Sequence, residues 1–304
     1  MGKLAFVFAG QGAQGVGMGR DFYDNCLSAR EIFDRAEARR PGIQALCFEG
    51  PPEALNQTIN TQPCLYVTDL ACAAALSEAG VRPDGVAGFS LGELAAAAFT
   101  GVLCEKTGLE LVVRRATAMQ RAGEANPGTM FAVVKLTTAE VEMICQDLAG
   151  AYAVNYNCPD QIVVACELAR APELVQAVAA AGGRALPLKV SGAFHSPLMS
   201  PAAEDLALWL ESVPFGFGKV PLYANATARP YGDPAALLAR QIDNPVLWQL
   251  TIENLIGDGF DRFVEVGPGK ALSGFIRKID PGVTVTNVCD QASLAEALEV
   301  LGNA

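Results

Sequence analysis

Residues 85–99 read GVAGFSLGELAAAAF and contain the most informative turn of the chain. The apolar stretch 85–89 is typical of a short buried strand, and the alanine-rich stretch 91–99 is typical of a helix. Ser90 stands at the junction, in the middle of a Gly-x-Ser-x-Gly pattern over 88–92. A strand that turns sharply at a serine into a helix is the signature of a nucleophile elbow in an α/β protein.

The segments outside this turn repeat the alternation of strand and helix. A buried strand is expected over 4–8, followed by a glycine-dense loop over 10–19. Further helices are predicted over 26–38, 62–78, 107–122, 201–212, 234–241, 245–256, 270–279 and 294–301, and further strands over 220–224, 262–266 and 283–288. This alternation predicts a large α/β domain.

The middle of the chain follows another order, which predicts a small inserted domain. The expected elements are a strand over 130–136, a helix that opens at a Thr137/Glu140 capping box, two strands within 152–166 split at residues 158–160, a helix over 172–181 and a strand over 184–190. The order β-α-β-β-α-β is the ferredoxin-like pattern. We therefore expect a large α/β domain of residues 1–126 and 196–304, a small ferredoxin-like domain of residues 127–195, and a ligand cleft between them.

Composition excludes several classes of protein. The chain has 304 residues, of which 51% are hydrophobic and 18% are charged, so it can bury a sizeable core. A formal net charge of -11 argues against a protein that binds nucleic acid by neutralising phosphates. The apolar runs are too short for a membrane-spanning helix or a secretory signal, and the nine cysteines form no CxxC pair, so neither a disulfide framework nor a zinc site is indicated. We expect a cytoplasmic protein with no metal.

His195 is the only histidine of the chain, so it is the one imidazole that can serve Ser90 as a general base. It follows the last strand of the predicted small domain, in a loop at the domain junction. The alternatives are a plain turn at Ser90 and a hydrogen-bonded structural histidine. The strand-to-helix placement of Ser90 favours the nucleophile and its base.

Arg115 is the third informative residue. It lies among the apolar positions of the helix over 107–122, where an arginine needs an anionic partner. That partner is either a protein carboxylate or the carboxylate of a substrate held by two hydrogen bonds, and the helical pattern does not choose between them.

The glycine-dense loop also matches Gly-x-Gly-x-x-Gly over 10–15, the dinucleotide-binding pattern. The loop does not open directly into a helix, and no second strand ends in an acidic residue about twenty positions later, as that pattern requires. A simple chain turn is favoured, and the glycines are also suited to pointing backbone N–H groups at an oxyanion.

Taken together, the chain resembles the malonyl-CoA:acyl carrier protein transacylases and the related acyltransferase domains of polyketide synthases. The resemblance runs along nearly the whole chain, through FVFAGQGAQGVGMG, TQPCLYV, GFSLGELAA, Arg115, GTMFAV, NCPDQIVVA, SGAFHSPLM, NATARP, RQIDNPVLW and EVGPG. It implies an α/β-hydrolase-like large domain with a ferredoxin-like insert. It also implies that malonyl-CoA and acyl carrier protein are the partners and that the chain acts in fatty-acid biosynthesis. No cofactor is expected.

The resemblance assigns a role to each matching position. Ser90 is the nucleophile, His195 the general base, and the Gln241 backbone carbonyl orients His195. The N–H groups of Gln11 and Leu91 form the oxyanion hole. Arg115 holds the malonyl carboxylate, and Phe194 matches the bulky residue of malonyl-selective members.

Three positions depart from the family pattern: Ala9 replaces a proline, Phe89 a histidine, and Leu94 an aromatic residue. Phe89 is placed to affect acyl selectivity. The alternatives are a serine hydrolase, a stand-alone acyltransferase of a polyketide pathway, and a non-enzymatic scaffold for a carrier protein.

An acidic carrier protein needs a local basic patch on this acidic chain. Lys270, Arg277 and Lys278 recur at spacings of seven and eight along the helix over 270–279 and are the predicted docking residues. The alternative is a solvated helix end, where cations are favoured in any protein.

Overall fold

A computed structural model describes residues 2–302 of the chain. Met1, Asn303 and Ala304, which the predicted domains include, lie outside the described residues. The fold is mixed α/β, with one parallel and one antiparallel sheet. Within residues 2–302, no helix combines the length and the apolar character that crossing a membrane requires.

The larger sheet has five parallel strands. These are β1 (Lys3–Phe8), β2 (Gly85–Gly88), β7 (Leu222–Tyr223), β8 (Phe260–Val266) and β9 (Thr284–Val288), in the order β7-β2-β1-β8-β9. The central strand β1 is apolar on both faces: Phe6 and Phe8 enter one core cluster, and Ala5 and Val7 enter another. Burial on both faces is typical of a parallel sheet covered by helices.

Twelve helices of the described residues lie outside the small sheet. They are α1 (Arg20–Asn25), α2 (Leu27–Arg39), α3 (Ile43–Phe48), α4 (Pro52–Leu55), α5 (Thr58–Glu78), α6 (Leu91–Thr100), α7 (Glu105–Ala125), α10 (Ser200–Leu210), α11 (Pro234–Arg240), α12 (Trp248–Gly257), α13 (Ala271–Ile279) and α14 (Gln291–Gly302).

The smaller sheet has four antiparallel strands and two helices. They are β3 (Gly128–Val134), α8 (Thr138–Asp147), β4 (Ala151–Cys158), β5 (Gln161–Glu167), α9 (Ala171–Ala180) and β6 (Arg184–Pro187), with the strands in the order β4-β5-β3-β6. The Thr137/Glu140 capping box at the start of α8 is confirmed. One face of this sheet joins the main core, and the other packs against α8 and α9.

The carboxyl ends of the parallel strands bring distant loops to one edge of the larger sheet. Gln11 lies beyond β1, Ser90 beyond β2, and Asn225 beyond β7. Ligands bind at this edge in open α/β sheets. The topology therefore places the serine turn and the glycine loop side by side.

The secondary structure differs from expectation at several places. Helices α1, α3 and α4 were not predicted, because each is shorter than two turns and carries little periodic signal. Helix α12 begins at Trp248 rather than at residue 245, because Val246 pairs with β4 through the carbonyl of Val154 and the amide of Tyr156.

Helix α5 starts at Thr58, four residues earlier than predicted, and contains Pro63. A proline inside a helix removes one donor and leaves the carbonyl four residues earlier without its partner. Here that carbonyl belongs to Ile59, and the Arg40 guanidinium donates to it at 3.1 Å. The contact compensates for the proline and lets the helix extend toward the site.

Candidate active site

Ser90 sits in a strained turn. Its φ of 53° and ψ of -104° lie outside the regions that ordinary residues favour, and glycines stand two residues away on each side. A Cβ at Gly88 would overlap the backbone of Gly92, and one at Gly92 would overlap the Phe8 carbonyl oxygen. Both glycines of the Gly-x-Ser-x-Gly pattern are therefore required by close backbone approach.

The Asn225 side chain clamps this turn from the adjacent loop. Its Oδ1 accepts from the Ser90 N–H at 2.7 Å, and its Nδ2 donates to the Gly88 carbonyl at 2.6 Å. Sequence reasoning missed this residue, although the NATARP segment that contains it is part of the family resemblance.

Ser90 and His195 form a hydrogen-bonded pair. The distance from Ser90 Oγ to His195 Nε2 is 2.7 Å, and His195 Nδ1 lies 2.9 Å from the Gln241 carbonyl oxygen. A carbonyl oxygen only accepts, so Nδ1 carries the proton and Nε2 is free to accept the Ser90 proton. This is the arrangement that a serine nucleophile and its general base require.

His195 is buried, with 4% of its surface exposed. Its φ is 63°, and its backbone N–H donates to the Ile242 carbonyl at 2.9 Å. Burial and the positive charge of Arg115 together lower the pKa of His195 to about 4. The imidazole is therefore neutral near pH 7 and able to accept a proton.

Arg115 is fully buried beside the serine, at 1% exposure. Its Nη1 donates to Gln62 Oε1 at 2.8 Å, and its Nη2 donates to Gln241 Oε1 at 2.8 Å and to Ser90 Oγ at 3.1 Å. The Nε–H has no partner among the described residues. Sequence reasoning located the arginine but not its amide partners Gln62 and Gln241.

No carboxylate of the described residues forms an ion pair with Arg115 within 4.0 Å. The groups that hydrogen-bond directly to Arg115 are neutral, and the charge of Glu93 acts on it without a direct contact. A buried guanidinium in these surroundings can still bind an anion through direct hydrogen bonds. Of the two partners that the sequence left open, the contacts favour a substrate carboxylate over a protein carboxylate.

The two expected oxyanion donors lie next to the serine turn. Leu91 is the first residue of α6, directly after Ser90, so its amide belongs to the electropositive end of that helix. Gln11 lines a cavity of about 230 Å³ that Phe89, Asn155 and Glu265 also line. The Gln11 side chain donates to Thr58 at 3.3 Å.

The two aromatic residues proposed for selectivity occupy different places. Phe89 lines the cavity beside Gln11 and packs against the rings of Trp248 and Phe275, with centroids 5.4 and 6.4 Å away. Phe194 belongs to the main core, at 6% exposure. A role of Phe89 or Phe194 in acyl selectivity stays a prediction.

The three predicted docking residues are exposed on α13 or at its start. Lys270 precedes the helix, whereas Arg277 and Lys278 lie in its last turn, about 10 Å further along the axis. The Arg277 guanidinium donates to the Val285 carbonyl at 2.8 Å. A docking role for these residues stays a prediction.

Comparison with known proteins places this geometry in a family. A model of the acyl transferase domain matches residues 5–281. The malonyl CoA-acyl carrier protein transacylase of Bacillus subtilis is 35% identical over 311 residues, covering 99% of this chain and 98% of that protein. The protein of the same name from Escherichia coli (strain K12) is 35% identical over 309 residues, covering 99% and 100%.

Solved structures agree with this grouping. The malonyl CoA-acyl carrier protein transacylase of Clostridium perfringens superposes with a TM-score of 0.95 at 38% identity, covering 99% of this chain and 98% of that one. A malonyl-transacylase in complex with a type II PKS acyl-carrier protein superposes with a TM-score of 0.94 at 35% identity, covering 98% and 99%. The chain therefore belongs to the acyl transferase domain family and, within it, to the malonyl CoA-acyl carrier protein transacylases.

Proposed function

We propose that this enzyme transfers the malonyl group of malonyl-CoA to the phosphopantetheine thiol of an acyl carrier protein in fatty-acid biosynthesis. The observation that carries the proposal is Arg115, a buried cation that contacts the nucleophile Oγ and has no carboxylate partner among the described residues. A carboxylated acyl group on Ser90 supplies the missing charge.

In the first half-reaction His195 Nε2 accepts the proton of Ser90 as Oγ attacks the thioester carbonyl. The Gln11 and Leu91 amides stabilise the oxyanion, and the Gln241 carbonyl stabilises the imidazolium. When the tetrahedral intermediate collapses, the carbon–sulfur bond breaks and the CoA thiolate takes the proton from His195. A malonyl ester of Ser90 remains.

In the second half-reaction the carrier thiol loses its proton to His195 and attacks the malonyl ester. The carbon–oxygen bond to Ser90 breaks, and Oγ recovers the proton from His195. Every proton passes through His195 Nε2, the atom that lies 2.7 Å from Ser90 Oγ. The expectation that no cofactor is needed stays a prediction, as does the cytoplasmic location.

We also propose the finer domain description. Residues 1–126 and 196–304 would form an α/β-hydrolase-like domain, and residues 127–195 a ferredoxin-like domain. The strand order β4-β5-β3-β6 within a β-α-β-β-α-β unit supports the second assignment. The serine turn at the carboxyl edge of the parallel sheet supports the α/β-hydrolase-like assignment.

The transfer itself is tested by mixing enzyme, malonyl-CoA and phosphopantetheinylated carrier protein and measuring both malonyl-carrier and free malonate. Transfer should exceed malonate release by a large factor. Equal rates would favour the hydrolase alternative, and absence of any acylation would favour the scaffold. A polyketide pathway uses the same chemistry, so gene neighbourhood decides between the two pathways.

The depressed pKa of His195 gives a pH prediction. A histidine acts as a general base only when it is neutral. Because the pKa of His195 is lowered, kcat/KM for malonyl-CoA should begin to fall only as the pH approaches 4. At about pH 5.5 the enzyme should keep most of its rate, whereas a histidine with a pKa of about 6.5 would lose roughly nine-tenths.

The control for this profile is Glu93→Gln. Burial raises the pKa of the neighbouring Glu93 to about 7, so Glu93 also titrates in the range studied. An acid limb centred near pH 6.5 that persists in Glu93→Gln would contradict the assignment of His195 as a buried, neutral base.

Substituting glutamate for Arg277 and Lys278 reverses both charges. This double variant should transfer malonyl groups to the carrier protein more slowly and should still be acylated by malonyl-CoA at the wild-type rate. The two half-reactions are measured separately, by transfer from acylated enzyme and by acylation of free enzyme. The matched control substitutes glutamate for Lys106 and Arg114, two exposed cations of α7. It changes the net charge by the same amount. Equal losses in both half-reactions, or in both double variants, would argue against docking at α13.

A further inference from the structure

A buried carboxylate behind Ser90 has no role in the mechanism above. Glu93 lies in the first turn of α6, three residues after the nucleophile, at 1% exposure. Its Oε1 accepts from the Tyr231 hydroxyl. Its Oε2 accepts from Gln241 Nε2 at 2.7 Å and from the Asn225 N–H at 3.3 Å. Both oxygens are therefore satisfied, as a buried carboxylate requires.

Through these contacts Glu93 reaches the Gln241 side chain, which has one possible orientation. Gln241 Nε2 donates to the Ser90 carbonyl at 2.7 Å as well as to Glu93. A backbone carbonyl only accepts, so the amide nitrogen must face Ser90 and Glu93. The amide oxygen is then turned toward Arg115, where it accepts from Nη2 at 2.8 Å.

The chain Arg115–Gln241–Glu93 thus links the buried cation to a buried carboxyl group through one amide group. Among the described residues, Arg115 Nη2 makes two hydrogen bonds, to Gln241 Oε1 and to Ser90 Oγ. The first contact fixes the nitrogen, and the second aims it at the position where the acyl group is attached. Loss of the amide orientation would release the Nη2 end of the guanidinium.

We propose that Glu93 is a positioning residue that, through the Gln241 side chain, aims Arg115 at Ser90 and thereby sets the preference for acyl groups bearing a carboxylate. The inference rests on the proposed malonyl transfer and deepens it. Glu93 touches no substrate atom in this scheme; it acts through the Gln241 amide on Arg115, which contacts the acyl group. The backbone carbonyl of Gln241 keeps its separate task of orienting His195.

The test measures the acylation rate of Ser90 with malonyl-CoA and with acetyl-CoA, by rapid quenching and intact-mass analysis. Four variants are compared with wild type: Glu93→Leu, Glu93→Gln, Gln241→Met and the double variant Glu93→Leu/Gln241→Met. Leucine removes both acceptors. Glutamine can keep an oxygen toward Gln241 and Asn225 and turn its amide nitrogen toward the Tyr231 oxygen, so it is the conservative control.

The expected readout is the ratio of malonyl to acetyl acylation. Glu93→Leu and Gln241→Met should each lower that ratio by about tenfold or more, the loss typical of one hydrogen bond to a charged group. Glu93→Gln should hold the ratio within about threefold of wild type. The double variant should be no worse than the worse single variant, because the two side chains act in series.

A parallel fall of both rates, with the ratio unchanged, would overturn the proposal and reduce Glu93 to a support of the fold. Additive losses in the double variant would also overturn it. If Glu93→Leu fails to fold, an unchanged ratio in Gln241→Met is sufficient to refute it. A wild-type enzyme that acquires no malonyl group would instead refute the proposed function, which keeps the two failures distinct.

Discussion

A Ser90→Ala variant is expected to lose acylation by malonyl-CoA completely. The serine hydroxyl is the atom that bonds to the acyl group, and removal of a serine nucleophile costs on the order of 10⁶ in rate in enzymes of this chemistry. The alanine fits the turn without a clash, since it only removes Oγ. Folding and binding of malonyl-CoA should therefore persist, as calorimetry of the two proteins would check.

The matched control is Ser212→Ala, which removes an exposed hydroxyl that donates to the Trp209 carbonyl. It should be acylated like wild type. An undiminished malonyl adduct on Ser90→Ala would place the nucleophile elsewhere and would remove the basis for the roles of His195 and Arg115.

An Arg115→Ala variant is expected to invert the acyl preference. Removing one partner of a buried charge pair costs about 3 to 5 kcal/mol, or roughly two to four orders of magnitude in malonyl transfer. Acetyl groups carry no carboxylate and lose no such contact. Acetyl transfer should hold or rise, since Arg115 lowers the pKa of His195 and its removal makes that base stronger.

Side-by-side rates with malonyl-CoA and acetyl-CoA test this expectation. Arg114→Ala is the matched control, because the neighbouring guanidinium lies over the Trp209 ring at 5.1 Å and makes no contact with Ser90. Equal proportional losses with both substrates in Arg115→Ala would mean that the arginine supports the fold. The assignment of a carboxylated substrate would then rest on family membership alone.

The Ser90–His195 pair could be predicted from the sequence because each partner had few competitors. A Gly-x-Ser-x-Gly turn between strand and helix restricts the serine locally, and a single histidine leaves one candidate base. The apolar spacing along the helix predicted over 107–122 likewise singled out Arg115. Such inferences depend on residue type and short-range spacing, which the sequence contains directly.

The partners of these residues could not be predicted in the same way. Asn225 meets Ser90 from 135 positions away, and the Gln241 side chain meets Arg115 from 126 positions away. Asparagine and glutamine are common polar residues, and no periodicity distinguishes a buried one from an exposed one. The sheet topology brings Asn225 to Ser90, because β2 and β7 are neighbouring parallel strands that end at one edge, whereas Gln241 is carried to the site at the end of α11.

Local context also set the limits of the secondary-structure predictions. The early start of α5 depends on Arg40, which satisfies the carbonyl that Pro63 leaves free. The late start of α12 depends on the pairing of Val246 with β4. Both are tertiary contacts that override the local signals of proline and of helical periodicity.

The most direct measurement follows the mass of the wild-type enzyme through both half-reactions. After mixing with malonyl-CoA, the enzyme should gain one malonyl group, and peptide mapping should locate it on Ser90. Addition of phosphopantetheinylated carrier protein should return the enzyme to its original mass and transfer the same group to the carrier. An enzyme that never gains the group, or one whose adduct is lost as free malonate at the same rate with and without carrier, would contradict malonyl transfer through Ser90.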